Sequence, residues 1–314
     1  MRLADRPPPV ATLRLGRVVG ACGLAALLAA ARPARATEIE APITATVTAS
    51  SSSATVARAL DADALTRWCP TLEDARGELT IRFARPVKIN KVTVLVGKQD
   101  LRTLLAPFHP PIIRASLGEV VAEVDPAEDW RSPIELEAFR EKRGQVFLLR
   151  LDPATRPASD PAERCVADLE IELDGATWVA GVPDGAASKL PAFVNDLTAA
   201  FRACDRTALR RLVQFPLRRR ELGVGFAGAE LHAASESGAR RTVGYSNLAS
   251  LAKDCRELVF PEGETPPVDP FPQRSLGPGE IRIKGNGGGG VTYWDVAWRK
   301  DRWVLTRIAF TSFE

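Results

Sequence analysis

Histidine is nearly absent from this 314-residue sequence, which contains only His109 and His232. No GxSxG, HExxH, EF-hand-type or P-loop lysine pattern occurs. The chain therefore lacks a ready nucleophile–base pair, which weighs against catalysis. Five cysteines are present and none sits in a CxxC, so neither a metal ribbon nor a dithiol redox centre has support. Long apolar runs are confined to the N-terminus, which excludes a multi-span membrane protein. A basic surplus is missing as well. Residues 1–36 hold six Arg and one Asp, which leaves 36 bases against 38 acids in the remainder. No nucleic-acid partner is expected. With 45% hydrophobic and 26% charged residues, wholesale disorder is excluded, and the length allows two separate cores.

The first 36 residues read as an export signal. Arg2, Arg6, Arg14 and Arg17 precede the apolar run Val18–Ala31, and Ala34-Arg35-Ala36 offers a small-x-small cleavage site. The run is shorter than the roughly 20 residues a spanning helix needs. The expectation is a secreted or periplasmic protein cleaved after Ala36, with no membrane span afterwards. Val19-Gly20-Ala21-Cys22 resembles a bacterial lipobox, but the apolar run continues beyond Cys22, which favours cleavage over lipidation. Cys69, Cys165, Cys204 and Cys255 then remain. An even number in an oxidising compartment favours two disulfides, and four cysteines permit three pairings.

From Ile43 the chain is written as short strands. Leu79, Ile81 and Phe83 alternate with Thr80 and Arg82, and Val92, Val94 and Val96 repeat that period of two. Val146–Leu151 and Leu169–Leu173 follow, with prolines between them. Such spacing predicts an antiparallel β-sandwich. Within it, Asp61, Asp63 and Thr66 place carboxylate, hydroxyl and backbone oxygens in one tight turn. Either they offer oxygens to a hard cation, or the acids simply cap the turn.

The runs Ala49-Ser50-Ser51-Ser52, Ala59-Leu60-Asp61-Ala62-Asp63 and Thr66-Arg67-Trp68 resemble the opening of discoidin-type, galactose-binding-like jelly rolls. Gly77–Phe83 and Cys165–Ile171 are similar to later strands of that family. Trp68-Cys69 and Cys165 look most like the glycan-binding translocation module of NAD glycohydrolase toxins. The resemblance spans about residues 42–175 and departs from the family at Ala62, where glycine is usual, and at Asp168, where glutamate is. It implies a structural calcium on Asp61, Asp63 and Thr66, completed by Asp168, and it places Trp68 in the core. It also implies a glycan or envelope component as partner, recognised by loops at one end of the sandwich. Those loops are Arg67–Arg76, Lys98–Arg114 and Asp152–Glu163. Lys98, Gln99, Arg102 and His109 are their candidate polar contacts, with Trp130 as a stacking surface.

Residues 176–189 have the composition of a linker. Beyond it, Phe193, Val194, Leu197 and Phe201 mark a helix. Asp205 opens a second helix and Ser246-Asn247 a third. The six prolines of Pro261–Pro278 read as an exposed loop. Two strands, Val291–Arg299 and Trp303–Phe310, close the chain around Lys300-Asp301. Gly285–Gly290 satisfies GxGxxG, but a strand follows it where a dinucleotide site needs a helix, so it reads as a hairpin loop. The run Phe201–Leu217 and the two closing strands resemble nuclear-transport-factor-2-like cone domains, whose mouths host catalysis in some relatives. His232 with Asp295 or Tyr293 is the acid–base grouping such a mouth would use; the alternative is a solvated loop histidine and a surface aspartate.

The fold class expected is thus an all-β jelly-roll sandwich over 42–175, a linker over 176–189, and an α+β domain with a curved antiparallel sheet over 190–314. That division prefers the pairings Cys69–Cys165 and Cys204–Cys255. The function expected is non-catalytic recognition by the sandwich. The alternative is an enzyme with its pocket in residues 190–314 and the sandwich as targeting module.

Overall fold

The computed structural model describes residues 40–62, 66–97, 110–126, 130–152, 164–222, 245–255, 268–287 and 290–312. The export signal and Cys22 lie outside the described residues, as do Asp63, Lys98, Gln99, Arg102, His109 and His232. No described helix is long and apolar enough to cross a membrane.

The first half contains β1 (Ile43–Ala49), β2 (Glu78–Val96), β3 (Ile112–Leu117), β4 (Val120–Val124), β5 (Ile134–Glu135), β6 (Arg143–Asp152), β7 (Val166–Leu173) and β8 (Trp178–Ala180). One sheet runs β4-β3-β6-β2-β1-β8, while β5 and β7 pair with the later part of β2. The two alternating runs expected as separate strands are one strand, β2. Its ladder to β6 breaks between Arg82 and Val87, where Pro86 has no N–H to donate. Up to Lys88 the strand pairs with β6, and from Ile89 onward it pairs with β7. A single strand thus serves both sheets. Its alternating residues Leu79, Ile81, Phe83, Val92, Val94 and Val96 all point into the core between them.

The second half contains α1 (Asp184–Ala187), α2 (Leu190–Arg202), α3 (Arg206–Leu212), β9 (Val213–Leu222), α4 (Leu248–Asp254), β10 (Val268–Ser275), β11 (Glu280–Gly287), β12 (Gly290–Arg299) and β13 (Arg302–Ser312). The sheet order is β10-β11-β12-β13-β9, with β9 parallel to β13. Helix α2 turns Phe193, Val194, Leu197 and Phe201 onto the sheet, and Phe201 stacks on Trp294 with ring centroids 5.5 Å apart. Asp205 caps α3 by accepting from the N–H groups of Thr207 and Ala208. Asn247 and Ser250 close a capping box on α4. The fold class read from the sequence, a β-sandwich followed by an α+β half, is the one observed. Both preferred disulfides, Cys69–Cys165 and Cys204–Cys255, are formed. Each closes a long loop and stabilises the fold by roughly 2–4 kcal/mol.

Two expectations are corrected. Residues 268–275, expected within a proline-rich loop, instead form β10. This strand lies at the sheet edge, and its register against β11 shifts around Pro270 and Pro272. An edge strand tolerates residues that cannot donate to a ladder. Residues 176–189, expected as a linker, hold β8 and α1 and are built into the molecule. β8 adds to the sandwich by pairing in parallel with β1. Trp178 enters the sandwich core, where it meets Phe83 edge-on at 5.5 Å and donates from its indole to the Ile171 carbonyl at 2.9 Å. Its neighbour Val179 belongs to the core of the second half. The Ala180 carbonyl accepts from Gly279 N–H at 2.6 Å, and Trp303 of β13 donates to the Ala186 carbonyl at 2.7 Å. The glycines read this stretch as flexible, but one of them, Gly181, is there for close approach. It holds φ +66 beside Pro278, and an added Cβ would come within 2.9 Å of that ring.

Gly175 shares the positive φ but has open space around it. Both glycine-to-alanine variants should therefore lose about 1–2 kcal/mol to backbone strain. Gly181→Ala should lose measurably more, because it also separates β8 from the Pro278 turn. Urea unfolding of the two variants side by side checks this; equal losses would mean that the Pro278 contact contributes nothing.

Candidate functional site

The three loops singled out in the sandwich are anchored at one end of it. The Ser50–Ser52 turn leaves β1 there, the Arg67–Arg76 segment leads into β2, and the later pieces begin or end at Gly97, Pro110, Asp152 and Arg164. Asp74 is the central acceptor of this end. Its carboxylate takes hydrogen bonds from the Ser50 and Ser51 hydroxyls and, at 3.1 Å each, from the N–H groups of Arg76 and Gly77. The serines are themselves fixed: Ser50 Oγ accepts from Glu78 N–H and Ser51 Oγ from Thr71 N–H. Burial pushes the Asp74 carboxyl up, but the four hydrogen bonds outweigh it and hold the group at about 2, below the usual 3.8.

Arg164 ties the remaining ends together. Its buried guanidinium donates to the Asp74 carbonyl and the Leu151 carbonyl, each at 3.0 Å. A side chain at Gly77, which holds φ +56, would occupy the space of that guanidinium. The Cys69–Cys165 bridge and the backbone pairing of Trp68 with Val166 complete the brace. Trp68 is fully buried and donates to the Ser51 carbonyl at 3.0 Å, so it is core, as expected. Sequence reasoning missed Asp74 and Arg164. Thr71–Gly77 reads as an ordinary turn, and nothing local announces that its carboxylate faces the serines some two dozen residues earlier.

The cation turn fares differently. The Thr66 hydroxyl lies 2.8 and 2.7 Å from the two carboxylate oxygens of Asp61, closing the turn on itself. Asp168 is half-buried on β7, and its charge acts on Arg282 of the second half. Among the described residues no group of three or more His, Cys, Asp or Glu suits a metal ion. Asp63, the turn's other acid, lies outside the described residues. Trp130 is corrected: it is 3% exposed and packed in the sandwich core, with the Arg131 guanidinium 4.6 Å over its ring. It has no open face for a sugar.

The acid–base grouping expected at the cone is not assembled among the described residues. Asp295, expected at the surface, is 2% exposed. It is held bidentately by Arg282 at 2.7 and 2.9 Å, with Arg307 at 3.6 Å. Asp295 is thus committed to a buried ion pair, where removing one partner would strand the other charge. The Arg282 guanidinium also lies 5.4 Å from the centre of the Tyr293 ring. Burial raises the Tyr293 hydroxyl above its usual value, which leaves it protonated.

A cleft of about 680 Å³ opens instead between α2, α3 and the β12–β13 hairpin. Phe193, Ala200, Leu212 and Trp303 lie along its inner surface, and Trp298 forms one side. The outward face of α2 contributes Ala192, Asp196, Ala199 and Ala203. The only sequence signal for it is a helix face carrying alanines where long charged side chains are customary.

No family model matches this chain, and no curated protein does. Among solved structures it is similar to CpGH89CBM32-6 of Clostridium perfringens, at 12% identity over 41% of this chain and 94% of that one, with a TM-score of 0.31. It is similar to the family 32 CBM from C. perfringens NanJ, solved in complex with galactose, at 11% identity over 40% and 92%, with a TM-score of 0.29. It is also similar to an NTF-2-like protein of unknown function from Silicibacter pomeroyi DSS-3, at 16% identity over 40% and 92%, with a TM-score of 0.23.

Two outcomes follow from this geometry. The Asp74 carboxyl titrates lower in the fold than in the unfolded chain, so its stabilisation is present above about pH 4 and is lost as pH falls toward 2. Nearly two pH units correspond to about 2.5 kcal/mol, and solvent screening reduces this to about 1 kcal/mol. Asp74→Asn should remove that contribution, so the stability difference between wild type and variant should shrink between pH 5 and pH 2. In the second test, melting temperatures in millimolar calcium and in excess EDTA should coincide. A folded-state site filled to a hundred times its Kd would add about 2.7 kcal/mol and separate the two melts.

Proposed function

We propose that this chain is an exported, non-catalytic binding protein whose sandwich recognises a glycan or another envelope component through its loop end. The observation that carries this reading is that the described ends of the three candidate loops, at Gly77, Gly97, Ile112, Asp152 and Cys165, are tied to one another by backbone pairing at one braced end of the sandwich. Recognition by loops needs a rigid frame, since each loop ordered only on binding subtracts from affinity. Asp74, Arg164 and Cys69–Cys165 supply that frame, with Arg164 and Cys165 buried and Asp74 and Cys69 partly so. Lys98, Gln99, Arg102 and His109 are then left to contact the ligand, and the absence of a catalytic motif in the sequence accords with recognition alone. Export follows from the N-terminal signal, and the disulfides suit an oxidising compartment.

The test is a glycan array probed with the chain lacking residues 1–36, with and without calcium, alongside Arg102→Ala and His109→Ala. The expected result is a saturable, calcium-insensitive hit that weakens at least tenfold in one or both variants. Silence on the array, or a hit that both variants retain in full, would overturn recognition by this end.

A further inference from the structure

The cleft in the second half has chemistry that the loop end does not share. Its three walls are built alike. The start and middle of α2 bring Lys189 and Asp196, α3 brings Asp205 and Arg211, and the hairpin brings Asp301 and Arg302. Each wall thus presents one carboxylate and one cation. None of the six forms an ion pair with a described residue. Asp205 already commits one oxygen to the α3 cap, and the Lys189 ammonium lies 5.8 Å from the centre of the Trp298 ring. Between the walls the surface is apolar, made of alanines and the partly open indole of Trp298, with the buried Phe193 and the buried indole of Trp303 behind them. Those indoles meet edge-on with centroids 5.5 Å apart. Trp303 is locked by its bond to Ala186, whereas Trp298 stays partly open. The Lys300-Asp301 turn holds φ +49 and +62, a conformation that Asn-Gly would adopt more easily. It sets Asp301 and Arg302 side by side at the rim.

The volume lies in the range of small-molecule sites. Charge decides the ligand class. A ligand of either sign meets as many repelling groups as attracting ones, and a zwitterion finds the signs interleaved on every wall instead of segregated. A neutral polyol satisfies both. Each hydroxyl donates to a carboxylate and accepts from a guanidinium or ammonium, and the C–H face of a sugar ring covers an indole or alanine surface. We infer that this cleft is a second binding site, separate from the loop end, and that it takes a short neutral oligosaccharide of about two or three rings.

The test uses titration calorimetry and indole fluorescence on the chain lacking residues 1–36, with maltotriose, cellotriose, N,N′,N″-triacetylchitotriose and β-1,4-galactobiose as probes. N-acetylneuraminic acid and glucosamine serve as charged controls. At least one neutral probe should bind saturably, and Trp298→Ala should weaken it at least tenfold. Trp298 also touches the core, so Ala199→Trp provides the independent variant. It fills the cleft from an exposed helix position and should abolish binding with the fold intact by circular dichroism. The inference is overturned if no neutral probe binds, if only the charged controls bind, or if Ala199→Trp binds as wild type does. The loop end is judged on its own variants, Arg102→Ala and His109→Ala, so the two readings fail separately.

Discussion

The constraint on which this molecule depends is the two-residue period of β8. In a strand, adjacent side chains point to opposite faces. Here that places Trp178 in the core of the sandwich and Val179 in the core of the α+β half. Neither core is complete without this strand. Trp178 supplies one of the largest fully buried side chains in the structure, and the backbone of Ala180 is bonded to the Gly279 turn. A slip of one residue would reverse both insertions at once, so the register of β8 against β1 is fixed from two sides. Within the second half, the buried Arg282–Asp295 pair ties β11 to β12 beside this strand's contacts.

Rigidity at this joint contrasts with how the loop end is held. There the stabilising groups are polar and short-range: serine hydroxyls, backbone N–H groups and one buried arginine, all organised around Asp74 and its carbonyl. Hydrogen bonds to an ionised carboxylate are stronger than neutral ones. Four of them on a single acid fix the turn without using any of the loop side chains proposed for recognition. The frame is therefore made by residues other than those proposed for contact. This leaves the contact residues open to change while the fold is preserved.

Much of the architecture was legible because it is written as periodicity. Leu79, Ile81 and Phe83 in β2, or Trp294 and Val296 in β12, are not ambiguous in kind once their spacing is counted. The joining of two runs into β2 was missed, because the strand passes from its pairing with β6 to its pairing with β7 just beyond Pro86. The same local reading failed where tertiary context reverses it. Glycine and proline around Trp178 suggested a linker, yet Gly181 is required for close packing against Pro278, and Pro270 and Pro272 sit in a strand because its edge tolerates them. Asp295 could be read as a pocket acid or a surface acid, because alternation alone does not say which face of its strand is buried. Its burial depends on Arg282 in the neighbouring strand, a pairing that no window of sequence contains. The disulfides were recoverable because the division into halves left one pairing that crosses no boundary.

Two recognition surfaces on one unit behave differently from two on a flexible tether. With a flexible linker, the effective concentration of the second site falls as the linker lengthens. Here the segment that would have been the linker is β8 and α1, so the spacing of the loop end and the cleft is set by packing. A polymer long enough to reach both would be held with an avidity fixed by that geometry, and one that is too short or bent the wrong way would gain nothing. With both proposed sites occupied, the shared strand would select ligand length and shape. Substitutions that loosen β8 should therefore weaken binding to a long glycan far more than binding to a trisaccharide at either site alone.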